Sequence, residues 1–291
     1  MMALYAGHDA ALRAIREAFE AATRDVDLRQ LEVICVSVPI VVKRVQEEMV
    51  RAVVPDAEIV FGHEGQAALV GAIGEPRGVV ISSGTGSFAY GRGDSGEPAW
   101  VGGGGPLLGD EGSAYYLGVR GLRYALHALD GRKPDTGLWE ALQARLGVSG
   151  RAELLAKAYG PGLQRREVAS LALVVIERAE AGDTVARQVV EEAAAELVVL
   201  GRQAVYNLER CGDGWIGEFP FACVGGVMRR SPALRELVTG GMVSVFDRAQ
   251  PTEPRFPPSV GAALLALQHV GVEVGPAVLE QVERTLPEAL K

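Results

Sequence analysis

The chain has 291 residues, of which 48% are hydrophobic and 23% charged, and its formal net charge is −8 at pH 7. This length and composition predict a globular protein of about two domains and argue against a disordered chain. The acidic balance disfavours nucleic acid and anionic membranes, and no apolar run reaches the roughly 18 residues of a transmembrane helix, so we expect neither partner.

The first half of the chain predicts helices alternating with strands. Apolar residues at helical spacing predict helices over residues 9–24, 42–53 and 65–73. Between them, apolar runs at residues 31–39 and 58–61 predict two buried strands. The short connections between these elements are typical of parallel α/β units.

The second half opens with a different pattern. Three predicted strands, at residues 79–82, 87–91 and 98–102, are joined by tight turns and predict an antiparallel meander. Two further strands are predicted, at residues 219–224 and 242–247. The predicted helices cover residues 113–128, 138–146, 151–159, 167–181, 183–210 (with Asp183 as the cap), 232–238, 259–269 and 276–286.

The two halves share one order of elements, except that the first half lacks the three opening strands of the second. We therefore expect an α/β protein built from a repeat. An incomplete N-terminal domain is expected over residues 1–76 and a C-terminal domain with a helical insert over residues 77–269. The last helix, within residues 270–291, is expected to pack back on the first domain.

One loop in the second half is unusually rich in small residues. Between the first two strands of the meander the chain runs through Ser83, Gly84, Thr85, Gly86 and Ser87. A strand follows this loop, whereas a Walker loop or a Rossmann fingerprint is followed by a helix. Glycine lets backbone N–H groups approach a ligand and the hydroxyls add donors, so the loop suits a phosphate oxygen. An ordinary tight hairpin is the alternative interpretation.

Four motifs together resemble the acetate and sugar kinase, Hsp70 and actin superfamily, and within it the BadF/BadG/BcrA/BcrD-type ATPase family, which includes N-acetylglucosamine kinases. The motifs are His63-Glu64-Gly65 before a helix, the loop 83–87, the run 102–118 that contains GDEGS, and Val224-Gly225-Gly226-Val227. The resemblance runs from about residue 9 to about residue 268. It implies two ribonuclease-H-like, actin-like ATPase domains around a cleft.

The resemblance also implies an activity and its residues. The protein is expected to be a sugar kinase that uses ATP and Mg²⁺ on an amino sugar, without assigned metal ligands. The loop 83–87 is implied to bind phosphate and Gly225-Gly226 to bind adenosine. Asp110 is implied to hydrogen-bond the acceptor sugar, next to the glycine run Gly103, Gly104 and Gly105. A cytoplasmic homodimer is expected by family analogy and from the dispersed cysteines.

Glu64 stands where the family has its general base, usually an aspartate. Its longer side chain shifts the carboxylate by about 1 Å, which can be costly for the rate. For Glu64 and Asp110, the alternative interpretation is an acidic residue that merely favours a helix start. For Gly225-Gly226, the alternative is a plain strand-to-helix turn.

Two departures from the family pattern weaken the kinase hypothesis. Gly104 occupies the position where family members usually have a tryptophan that contacts the sugar. The first phosphate loop, an Asp-Gly-Gly-Thr-type hairpin, would precede residue 1, as would an acceptor-binding asparagine. We therefore expect weak or no catalysis by the chain as written, unless a start codon has been placed too late.

Two other functions remain open at this point. One is a non-catalytic family member that binds nucleotide or sugar. The other is the radical-dehydratase activator branch of the family, which needs cysteines that hold an iron–sulfur cluster between subunits. Cys35, Cys211 and Cys223 are scattered and argue against this branch.

Overall fold

The structure is a computed structural model that describes residues 31–37, 56–95, 97–160, 163–212, 214–215 and 217–286, together with isolated positions between residues 13 and 54. The helices expected over residues 9–24 and 42–53 fall outside these continuous segments.

The strands are β1 (Val33–Ser37), β2 (Glu58–Gly62), β3 (Gly78–Ser83), β4 (Ser87–Arg92), β5 (Pro98–Gly102), β6 (Phe219–Val224) and β7 (Ala249–Pro251). The helices are α1 (Glu64–Ile73), α2 (Gly105–Leu108), α3 (Ala114–Leu129), α4 (Leu138–Leu146), α5 (Arg151–Tyr159), α6 (Arg165–Ser170), α7 (Ala172–Glu180), α8 (Thr184–Arg210), α9 (Gly226–Arg230), α10 (Pro232–Val245), α11 (Pro258–His269) and α12 (Pro276–Thr285). Among the described residues, no helix combines the length and the hydropathy needed to cross a membrane.

By its internal contacts the chain divides into two units. The first unit consists of Met1–Pro76 and Pro254–Lys291, and the second of Arg77–Glu253. From the sequence we expected the chain to return to the first domain near residue 270. In the structure the segment that belongs to the first unit begins at Pro254. Helix α11 therefore belongs to the first unit.

The first unit contains the parallel pair β1 and β2, which align Val33 with Glu58. Helices α1 and α11 cross so closely that a Cβ atom on Gly261 of α11 would overlap the carbonyl oxygen of Ala67 in α1. The chain entering α11 is also tied to α1, because the N–H of Phe256 donates to the carbonyl of Gly71 at 2.9 Å. The close packing at Gly261 explains why α11 belongs to the same unit as α1.

The second unit contains a five-stranded mixed sheet with the order β5-β4-β3-β6-β7. Strands β3, β4 and β5 form the predicted antiparallel meander, which is confirmed. Strand β6 pairs in parallel with β3 and with β7, and its register sets Val224 opposite Ser82. Because parallel strands end at the same edge, the loops that follow β3 and β6 are neighbours.

Helix α8 is the long helix of this unit and packs on the sheet. It begins as predicted, because the Asp183 carboxylate accepts hydrogen bonds from the N–H groups of Val185 and Ala186, both at 3.0 Å. Gly201 lets Ile81 of β3 approach the helix, since a Cβ atom on Gly201 would overlap the Ile81 side chain. The helix and the sheet thus share one core.

The prediction of a strand at residues 242–247 is wrong. Helix α10 continues to Val245, and the strand of this region is β7, at Ala249–Pro251. The pair Gly240-Gly241 looks like a helix break in the sequence. In the fold, Gly241 is the contact with α8, where a Cβ atom would lie 2.6 Å from a methyl carbon of Val198. Met242 is fully buried. Burial against α8 outweighs the low helix propensity of the two glycines.

Candidate functional site

The loop 83–87 is held on the turn that precedes α3. The Ser83 hydroxyl donates to the carbonyl of Gly112 at 2.8 Å, and the Ser87 hydroxyl donates to the carbonyl of Glu111 at 2.5 Å. Both serines are buried. Their hydroxyls therefore position the loop in this structure, and Thr85 is the exposed hydroxyl at its tip.

The backbone of the same loop is fixed by α3. The N–H of Gly84 donates to the carbonyl of Gly86 at 2.9 Å, which closes the turn. The N–H of Ala114 in turn donates to the carbonyl of Gly84 at 2.8 Å. An N–H group in the first turn of α3, which a helix leaves without an internal partner, is thus satisfied by the loop. The tip is held in a defined shape before any ligand binds.

Asp110 lies beneath this loop with its side chain fully buried. One carboxylate oxygen accepts the Ser87 N–H at 3.3 Å, and the other accepts Nη2 of Arg165 at 2.5 Å. The loop approaches so closely that a Cβ atom on Gly86 would lie 2.5 Å from Oδ1 of Asp110. Glycine is therefore required at position 86 by the carboxylate below it.

Asp110 does not cap helix α3. The N-cap is Ser113, whose hydroxyl oxygen accepts the N–H of Tyr116 at 3.1 Å. Asp110 adopts a left-handed backbone with φ of 63°, which few residues other than glycine, asparagine and aspartate occupy. The interpretation of Asp110 as an ordinary helix-start residue is therefore wrong, and its carboxylate has partners outside the helix.

The Gly225-Gly226 pair lies beside the loop 83–87. Gly225 follows β6 with φ of 105°, and a Cβ atom there would overlap the carbonyl oxygen of Ser83. Gly226 begins α9, and a Cβ atom there would meet no described atom within 4 Å. Gly225 is thus needed for the contact with the loop 83–87, whereas Gly226 leaves open space next to both loops.

The glycine run after β5 reaches the same region. The N–H of Gly103 donates to the carbonyl of Ser87 at 2.9 Å, and the N–H of Gly109 donates to the carbonyl of Gly105 at 2.8 Å. Gly104 is exposed and precedes α2. The run therefore curls back from the loop to the residue before Asp110.

Sequence reasoning missed two side chains of this site, Trp100 and Arg165. The Trp100 ring stacks on Phe88 with centroids 4.4 Å apart, and a Cβ atom on Gly103 would lie 2.9 Å from that ring. Arg165 comes from the helical insert, 55 positions after Asp110. Neither contact has a local signal, because one depends on strand pairing and the other on the docking of the insert.

Glu64 lies in the first unit, directly after β2, at the first position of α1. The preceding residue, His63, is the N-cap, and its Nδ1 accepts the N–H of Gly65 at 3.2 Å. Burial lowers the pKa of His63 below its ordinary value. Because a protonated Nδ1 cannot accept a hydrogen bond, the cap requires the neutral ring.

The His63 cap predicts a pH dependence of stability. A histidine whose pKa is lower in the folded than in the unfolded protein contributes its full stabilisation at a pH above the pKa of the unfolded state. This contribution is lost as the pH falls through the pKa of the folded state. Asparagine also caps helices but does not titrate, so His63→Asn is expected to remove part of the stability loss on acidification. His63→Ala is expected to lose about 0.5–1 kcal/mol at pH 8 as well. Urea unfolding at pH 8 and pH 5.5 measures both effects, and equal pH slopes for wild type and His63→Asn would contradict the prediction.

No group of three or more potential metal ligands occurs among the described residues. Cys223 in β6 is buried, and burial raises the pKa of its thiol to about 11. This thiol is therefore protonated at neutral pH and is not a ready ligand for an iron–sulfur cluster. Cys211 is exposed and Cys35 lies in the first unit. These positions add weight against the activator interpretation.

Two glycine-rich loops at one edge of a mixed sheet are typical of α/β proteins that bind phosphate-bearing ligands. The family comparison agrees with this class. The family model of the BadF/BadG/BcrA/BcrD ATPase family matches residues 4–266, and the chain belongs to that family. The resemblance inferred from the four sequence motifs is thereby confirmed.

Curated relatives are sugar kinases. The chain is 35% identical over 155 residues to an N-acetylmuramic acid/N-acetylglucosamine kinase from Clostridium acetobutylicum, a match that covers 53% of this chain and 51% of that protein. It is 34% identical over 198 residues to an N-acetyl-D-glucosamine kinase from Dictyostelium discoideum, covering 68% of this chain and 61% of the relative. The chain thus matches less than two thirds of the length of either protein.

Solved structures share the fold. A protein from Chromobacterium violaceum, proposed to be an N-acetylglucosamine kinase, superimposes with a TM-score of 0.69 at 24% identity, covering 89% of this chain and 86% of that one. A similarly described protein from Porphyromonas gingivalis gives a TM-score of 0.63 at 18% identity, covering 88% and 87%. At these identities the likeness concerns the α/β fold alone.

Proposed function

We propose that this protein is an ATP-dependent kinase that phosphorylates a hydroxyl group of an N-acetylated amino sugar. The observation that carries the proposal is the convergence of the loop 83–87, Gly225-Gly226 and Asp110 at one edge of the second sheet. The relatives named for N-acetylglucosamine and N-acetylmuramic acid support the class of substrate. A cytoplasmic homodimer, suggested by family analogy, is part of the same proposal.

The nucleotide is assigned to the two glycine-rich loops. Thr85 and the backbone N–H groups at the tip of the hairpin would donate to phosphate oxygens, while the open space beside Gly226 would receive the adenosine. ATP, bound with Mg²⁺, supplies the phosphoryl group that is transferred. We assign no side chain to Mg²⁺, which nucleotide sites usually hold through the phosphates and one or two carboxylates.

The acceptor sugar is assigned to Asp110 and the glycine run. An ionised carboxylate accepts hydrogen bonds only, so Asp110 would orient the sugar through two of its hydroxyl groups. The exposed backbone of Gly104, next to the Trp100 ring on which Gly103 lies, would border the sugar ring. Glu64 is the proposed general base, which takes the proton from the attacking hydroxyl group.

A kinase assay with Glu64→Gln tests this assignment. The formation of ADP and phosphosugar is measured with ATP, Mg²⁺ and N-acetylglucosamine. Because glutamine cannot accept the proton, Glu64→Gln is expected to lower kcat by about 10²- to 10⁴-fold with little change in the KM of the sugar. Glu75→Gln, an exposed acidic residue just after α1, is the matched control and should retain wild-type kcat. Full activity of Glu64→Gln removes Glu64 from this role, and the absence of phosphosugar with every amino sugar tested contradicts the kinase proposal.

A family member that binds its ligands without phosphoryl transfer is a second candidate. The full burial of Asp110 under Arg165 favours it, because the carboxylate is inaccessible in this structure. Calorimetric binding of sugar or nucleotide together with an absence of ADP release is the result expected for this candidate.

A further inference from the structure

Arg165 is held in place over Asp110 by the insert. It is the first residue of α6, whose capping box joins Gln164 and Glu167 through a 2.8 Å hydrogen bond from the Gln164 N–H. Helix α6 packs tightly on α3, since a Cβ atom on Gly118 would overlap the carbonyl oxygen of Val168. The turn that carries Asp110 leads into the same helix α3, so both residues of the pair are anchored to one element.

The pair closes the acceptor carboxylate to solvent. The side chain of Asp110 is 0% exposed, whereas that of Arg165 is 18% exposed, so the guanidinium lies at the surface and the carboxylate lies beneath it. The second partner, the Ser87 N–H, belongs to a strand and cannot move without breaking the sheet. A sugar hydroxyl can therefore reach Asp110 only when the Arg165 side chain moves aside.

The guanidinium on Asp110 already lies close to the loop assigned to phosphate. In this position its Nη2 atom would lie 3.1 Å from a Cβ atom on Gly86 of that loop. The planar guanidinium group matches the oxygens of a phosphate as well as those of a carboxylate. A phosphate at the loop would thus offer Arg165 an anion close to the one it leaves, with little movement of its backbone.

We propose that Arg165 exchanges between Asp110 and the phosphate held by the loop 83–87, and so couples the binding of the acceptor sugar to that of the nucleotide. This inference rests on the proposed function. An acceptor alone must compete with Arg165 for Asp110, whereas a bound phosphate draws Arg165 away and opens the carboxylate. By linkage, the sugar tightens nucleotide binding by the same factor.

Calorimetry with three proteins tests the exchange. The Kd of N-acetylglucosamine is measured for the wild type, with and without Mg²⁺ and a saturating non-hydrolysable ATP analogue. The analogue is expected to lower this Kd by about 5-fold or more. Arg165→Gln removes the competitor, so its nucleotide-free form should bind the sugar more tightly than wild type, and the analogue should have almost no further effect. Arg166→Gln makes the same charge change at the exposed neighbouring residue and should behave as wild type.

Other outcomes overturn the inference. Weaker sugar binding by Arg165→Gln with the coupling intact would show that Arg165 is a permanent clamp on Asp110. An active kinase whose wild type shows no coupling refutes the exchange while sparing the proposed function. Sugar binding by none of the proteins refutes both. If Arg165→Gln does not fold, Arg165→Lys is measured instead. Lysine lacks the planar guanidinium group, so the coupling between sugar and nucleotide binding should decrease. Unchanged coupling in Arg165→Lys would contradict the exchange.

Discussion

Replacing Gly225 with alanine is expected to destabilise the second unit by roughly 2–6 kcal/mol. The added methyl group would overlap the carbonyl oxygen of Ser83, and the φ of 105° at this position is one that residues with a side chain rarely adopt. Backbone strain of this kind costs about 1–3 kcal/mol, and overpacking costs a similar amount. The sum is a large part of the roughly 5–15 kcal/mol that stabilises an ordinary domain.

Gly226→Ala is the matched comparison. Its methyl group would meet no described atom within 4 Å, and alanine is favoured at the start of α9, so the protein should unfold at a denaturant concentration close to that of wild type. The same methyl group would enter the space proposed for adenosine and should weaken nucleotide binding. Urea unfolding and nucleotide calorimetry separate the two effects. Equal stability of the two variants would mean that the close contact between Gly225 and Ser83 is not rigid.

Asp110→Asn is expected to lower kcat/KM for the sugar by about 10- to 150-fold. A hydrogen bond to a charged group contributes about 1.5–3 kcal/mol, and the amide carries no charge to strengthen the bonds from the sugar hydroxyls. Asparagine tolerates the left-handed backbone and can still accept the Ser87 N–H, so the loop should keep its shape. A decrease in stability is also expected, because Arg165 loses its charged partner.

The matched control for Asp110→Asn is Asp130→Asn. Asp130 pairs with Arg132 at 2.7 Å and with Arg151 at 2.5 Å, but it lies at an exposed helix end. Because solvent screens exposed ion pairs and they contribute little, this variant should change neither activity nor stability appreciably. Steady-state kinetics and urea unfolding of both variants provide the comparison. An Asp110→Asn variant with wild-type kcat/KM would remove Asp110 from the acceptor site.

Local patterns in the sequence determined most of the elements and the family. The antiparallel meander, the start of α3 at Ser113 and the Asp183 cap of α8 all follow from alternation, turn residues and capping residues within a few positions. The four glycine-rich or acidic motifs are sufficient by themselves to indicate the family to which the chain belongs. These features are predictable because their physical causes act between residues that are near in the chain.

The tertiary structure decided how the site is assembled. Whether Gly240-Gly241 would break a helix depended on the contact with Val198 of α8, and the need for Gly225 depended on the carbonyl of Ser83. The roles of Ser83 and Ser87 changed in the same way, since their hydroxyls are used by a turn about 24 to 29 positions further on. Arg165 meets Asp110 across 55 positions, and no local preference encodes that pair. Such contacts arise only when packing of the apolar core brings distant segments together, and a buried carboxylate then requires a charged or hydrogen-bonding partner from whichever segment lies next to it.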